Sequence, residues 1–103
     1  MLKEQTAIEL KDRMLDILGL AKIDDDENGF LLSLFYESAK ALDELVGVEL
    51  DFDDKGLQEL LMSRVRYSYN NAVEYFEDNF KSQILRLQLM KGCEEYAKQA
   101  TSS

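Results

Sequence analysis

LLMSRVRYSYNNAVEYFEDNFKSQILRLQL, residues 60–89, sets five aromatic side chains (Tyr67, Tyr69, Tyr75, Phe76 and Phe80) among many aliphatic ones and holds no histidine, cysteine or glycine. Leu57, Leu60, Leu61 and Val65, followed by Ser68 or Tyr69, recur at spacings of three and four, which puts them on one side of a helix. Asn70-Asn71 offers that helix a place to stop; the other reading runs it on through Tyr75 and Phe76 to Asn79. A further helix is expected from about Ser82, with Ile84, Leu85, Gln88 and Leu89 inward, although Leu85, Leu87 and Leu89 also alternate as a short strand would. A segment so rich in anchors and so poor in reactive groups is built to pack, against its own core or against another chain.

Upstream, Leu10, Met14, Ile17, Leu18 and Ala21 draw one apolar stripe on a first helix from about Lys3 to Leu18, and Gly19 can close it. Leu20 and Ile23 are then expected to cover the end of the core. Asp24-Asp25-Asp26 should start a second helix, by capping free N–H groups and by favouring the positive end of the helix dipole. Leu31, Leu34, Phe35, Ser38, Leu42 and Leu45 form its expected buried face, and Gly47 its end. Val48-Glu49-Leu50-Asp51-Phe52 alternates apolar and acidic residues, the pattern of an edge strand or an extended connection. Asp53 or Asp54 caps the third helix, and beyond Gly92 the chain is expected to fray into a flexible tail unless a partner holds it. The sum is a single all-α domain of about four helices, with a short extended connection near residues 48–52.

The 103 residues suit one domain, and at 46% hydrophobic they are ordinary for a globular protein. The single cysteine, Cys93, permits no intrachain disulfide and fits a reducing compartment. MLKEQTAIEL lacks the apolar core of a signal peptide, and the apolar runs are too short to span a bilayer, so a soluble protein made in the cytosol, with no membrane partner, is expected. The net charge of −9 falls entirely in residues 1–53, which carry 5 basic and 14 acidic side chains, whereas residues 54–103 carry 7 of each. Such an acidic half repels a phosphate backbone and disfavours tight nucleic-acid binding.

Catalysis has little to work with. No histidine is present, and glycine-rich phosphate loops are absent. Asp24, Asp26, Asn28 and Gly29 match the first, third, fifth and sixth positions of an EF-hand loop, but Phe35 stands at the twelfth, where calcium needs a bidentate carboxylate. Helix capping explains the same aspartates. The expectation is therefore no enzyme, no metal and no cofactor. Arg and Tyr are enriched at interface hot spots, which makes Arg64, Arg66, Tyr67, Tyr69, Tyr75 and Tyr96 the candidate protein-interface residues, with some of the tyrosines serving the core instead.

LGLAKIDDDENGFLLSLFYESAKALDELVGVEL (residues 18–50) resembles the opening of the head–tail connector proteins of tailed bacteriophages. The features that carry this are Leu18-Gly19, the acidic run Asp24 to Asp26, Leu31, Leu34, Ala39 and Gly47. RVRYSYNNAVEYFEDNFKSQILRLQL (residues 64–89) is similar to the third helix and closing segment of connector-like proteins in phages and prophages. The resemblance implies a helical virion adaptor at the head–tail interface, made in the host cytoplasm. It would assemble as a homo-oligomeric ring on the portal protein, and a downstream connector or stopper would dock on that ring. DNA would pass through the channel without specific binding. The rival reading is a small acidic regulatory protein that binds a basic partner as a nucleic-acid mimic.

Overall fold

The computed structural model describes residues 1–19 and 24–102, with side chains through residue 94. The chain forms α1 (Glu4–Leu18), α2 (Asp25–Val46), α3 (Lys55–Tyr69), a 3-10 turn (Val73–Tyr75), α4 (Phe76–Asn79) and α5 (Lys81–Ser102). The fold is all-α, with no strand among the described residues. Among the described residues five α-helices replace the expected four or so, because the chain between α3 and α5 breaks at Asn70-Asn71 and then recovers a single α-turn as α4.

The helix boundaries follow from local chemistry. Asp24 Oδ1 accepts the Glu27 N–H at 2.8 Å, and Asp54 Oδ1 accepts that of Leu57 at 3.1 Å, so each satisfies a free donor at a helix start. Gly19 (φ 72°) and Gly47 (φ 91°) close α1 and α2 in the left-handed region. The stop after α3 uses asparagine in the same way. Asn71 has φ 56°, its N–H donates to the Ser68 carbonyl at 3.1 Å, and the Ala72 N–H donates to the Tyr67 carbonyl at 2.8 Å. That pair of bonds is a Schellman closure, with asparagine tolerating a conformation that β-branched residues avoid. Asn71→Val should therefore cost about 1–2 kcal/mol, read as a lower denaturation midpoint with an unchanged m-value. Gly92 differs from Gly19 and Gly47: it takes no positive φ, so nothing ends the helix there. The backbone is helical to Ser102.

The core lies where α2 crosses α3, with α1 laid across both. Phe35, Leu42, Leu60, Leu61 and Val65 are buried there, and Leu10 and Met14 close it from α1. The α2 stripe is the expected one, with Leu45 only partly covered. On α1 the stripe is rotated. Ala7, Leu10 and Met14 are buried, while Ile17, expected inside, is 53% exposed. Ala21, Leu20 and Ile23 lie outside the described residues. The segment 48–52 is an irregular connection without a strand partner, bending at Val48 and turning at Phe52. Its alternation survives as burial, since Leu50 and Phe52 point inward and Glu49 and Asp51 outward. Its polar backbone is satisfied by neighbours: Asp43 Oδ1 accepts the Leu50 N–H at 2.9 Å, and Gln58 Nε2 donates to the Phe52 carbonyl at 3.0 Å.

The largest departure is in α5. Ile84 is buried and Leu87 partly so, but Leu85 is 52% and Leu89 63% exposed, and Gln88 is exposed as well. The inward row is Ile84, Leu87 and Lys91; of the expected face at Ile84, Leu85, Gln88 and Leu89, Ile84 alone is inward. Phe80, packed on the core beside Phe76, sets the rotation of the helix that follows it.

Candidate assembly surfaces

Two regions of surface stand out. The first is the end of α3 with the turn that follows. Tyr67 stacks edge-on against Phe76 (centroids 5.7 Å apart) and Phe80 (5.8 Å), and Phe76 lies parallel to Phe80 at 4.8 Å. Asn79 Nδ2 donates to the Tyr67 hydroxyl oxygen at 3.0 Å. Tyr67 thus belongs to an aromatic cluster that fastens α4 and the start of α5 to α3. Beside it runs an open groove of about 390 Å³ lined by Ser63, Arg66, Tyr67, Asn70, Ala72 and Phe80.

The other sequence candidates are distributed by their position on the helix. Arg64 turns toward α2, where its Nη1 donates to Ser38 Oγ at 2.9 Å, and Ser38 is fully buried. Partial burial pushes the Arg64 guanidinium below its ordinary pKa, while the nearby Glu77 and Glu37 carboxylates act to raise it. Arg66, Tyr69 and Tyr75 face outward. The structure thus brings Arg66 and Tyr67 to one groove and keeps Arg64 on the opposite, intramolecular side. The side chain of Tyr96 lies outside the described residues.

The second surface is the outer side of α5, where Leu85, Leu89 and Met90 (51% exposed) form an uncovered apolar face. Sequence reasoning assigned Leu85 and Leu89 to the core and so missed it. A signal was present: Ile84, Leu87 and Lys91 continue the three- and four-residue spacing that starts from Phe80, and a helix this short in apolar residues cannot bury both rows.

The polar contacts elsewhere have structural explanations. Lys3 Nζ donates to Asp53 Oδ2 at 2.7 Å and Thr6 Oγ1 to Asp53 Oδ1 at 3.1 Å, tying the start of α1 to the turn before α3. The hydrogen bond from Lys3, followed by that from Thr6, lowers the Asp53 pKa; the same bond to Asp53 raises that of Lys3. The acidic run at the start of α2 caps the helix through Asp24, and no group of three or more potential metal-ligating side chains occurs among the described residues. Among the described residues no helix is long and apolar enough to cross a membrane.

No protein-family model matches the chain, and comparison with curated proteins and with solved structures found no match.

Proposed function

We propose that this chain is a structural assembly protein: a virion adaptor of the head–tail connector type that forms a ring on the portal vertex and presents it to the next connector or stopper. The observation that carries the reading is the α5 face. Leu85, Leu89 and Met90 remain more than half exposed on a helix whose apolar contacts with the core, among the described residues, are made by Ile84 and Leu87. Most helices in proteins owe their stability to packing of an amphipathic face, and such a face left open is a docking surface. The resemblance of residues 18–50 and 64–89 to connector proteins supplies the kind of assembly. The acidic charge of residues 1–53 suits a channel that DNA passes without adhering.

Within this reading Arg66, Tyr69 and Tyr75 are the interface residues of the α3 end, being outward-facing and of the types that anchor interfaces. Arg64 and Tyr67 hold the subunit itself together. The same acidic half favours the rival reading, a regulatory protein that captures a basic partner; such a complex would dissolve at high salt.

Native mass spectrometry with a candidate portal protein tests the proposal. A stoichiometric complex with the portal oligomer is the expected result, weakened when Leu89 is replaced by Glu. Absence of any portal complex across salt and protein concentration would reject the connector reading.

A further inference from the structure

We infer that the outer face of α5 docks on the outer face of α2 in a second copy of this chain, making a head-to-tail contact. The two faces share an apolar centre and are opposite in charge. On α5, Lys81, Leu85 and Leu89 stand four residues apart, with Arg86 and Met90 as the adjacent row, and all five are exposed. On α2, Asp26, Phe30 and Glu37 lie on one exposed row, and Phe30 is 56% exposed. In each case an apolar centre is flanked by charge, basic on α5 and acidic on α2.

The charge balance of the whole helices agrees. Within α5, Lys81, Arg86, Lys91 and Lys98 against Glu94 and Glu95 leave +2; within α2, Asp25, Asp26, Glu27, Glu37, Asp43 and Glu44 against Lys40 leave −5. Pairing α5 with another α5 would bring basic faces together wherever Lys81 and Arg86 met their own copies. Pairing it with α2 opposes unlike charges, which steers the encounter and sets the register.

One molecule cannot close this contact on itself. Its own α5 is held at the far end of α2, where Gln88 Nε2 donates to the Leu45 carbonyl at 2.8 Å, and Ile84 is buried in the core. The Phe30 row is about 20 Å away along α2, at 1.5 Å per residue. The contact therefore joins two different patches on two copies. Such an arrangement propagates, and it yields a closed ring when the rotation between neighbours allows. Two helix faces bury less than the area of a strong complex, so association should be weak, concentration-dependent and reduced by salt. The inference deepens the connector reading by naming the contact between subunits.

The test uses sedimentation velocity of the full chain alone, at rising concentration in low salt. Wild type should self-associate. Leu89→Glu, which spoils only the α5 face, and Phe30→Glu, which spoils only the α2 face, should each remain monomeric with unchanged helical circular dichroism. An equal mixture of the two should give a dimer and nothing larger, because each variant keeps one competent face. A gentler pair, Arg86→Glu and Glu37→Arg, should each lose association alone and regain it in the double variant. Monomeric wild type at every concentration would overturn the inference. So would a Phe30→Glu variant that assembles like wild type, the mark of α5–α5 pairing, or a mixture that stays monomeric. Failure of portal binding would leave these outcomes untouched, and a monomeric result here would leave portal binding to its own experiment.

Discussion

Replacing Phe76 with alanine should lower the free energy of unfolding by about 3–5 kcal/mol, the usual range for a fully buried phenylalanine. Phe76 has no exposed surface and touches both other rings of the cluster, edge-on to Tyr67 and parallel to Phe80. The loss therefore combines transfer of the ring, the cavity left behind, and two aromatic pairs of about 0.5–1.5 kcal/mol each already counted in part within that range. Small domains have only about 5–15 kcal/mol in total, so the variant should be close to unfolding at 37 °C. The effect should also be regional. α4 and the start of α5 hang on this cluster, so amide exchange there should rise before it rises in α2. The neighbouring Tyr75→Ala is the control. Tyr75 is 58% exposed, so its removal should change stability by no more than about 0.5 kcal/mol. Urea denaturation of the two variants decides the matter, and equal losses would mean that the cluster is not what anchors this end of the molecule.

Arg64→Glu should cost about 2–3 kcal/mol, mostly through the hydroxyl it abandons. Ser38 is fully buried on α2, and the Arg64 guanidinium is the side-chain donor that reaches it, at 2.9 Å. A glutamate of shorter reach removes that donor and adds a third carboxylate to the neighbourhood of Glu37 and Glu77. Arg64→Met keeps the apolar stem and should lose about 1–2 kcal/mol, the part due to the unsatisfied hydroxyl. Adding Ser38→Ala to Arg64→Met should recover some of the loss, since both partners of the bond are then gone. Strict additivity of the two substitutions would show that the bond contributes nothing. Chemical denaturation of the single and double variants measures all of this, and it separates a residue that holds the subunit together from one that binds a partner.

Much of the architecture could be read in advance because its causes are local. Asp24 and Asp54 cap helices through their own side chains, and Gly19 and Gly47 end them by adopting positive φ. The α2 and α3 stripes were legible because a central helix has large apolar residues on one face and charges on the other. The alternation in residues 48–52 carried its inward and outward directions even without a strand to pair with.

The candidate surfaces were less legible. Arg64 and Arg66 look alike in sequence, two residues apart, yet the turn of the helix sends one to Ser38 and the other to solvent. For α5, two apolar rows compete, and only the continuation of the three- and four-residue spacing from Phe80 separates them.

Residue order along the chain thus settled the helical class, most helix ends, the α2–α3 core and the acid-rich first half. Which way α1 and α5 turn, and hence that Ile17, Leu85 and Leu89 face solvent, was settled by contacts between distant segments. A cap or a stripe is chosen by neighbours within a few residues. The rotation of a peripheral helix depends on what it rests against, here Phe76 and Phe80 below α5 and the α2–α3 pair below α1.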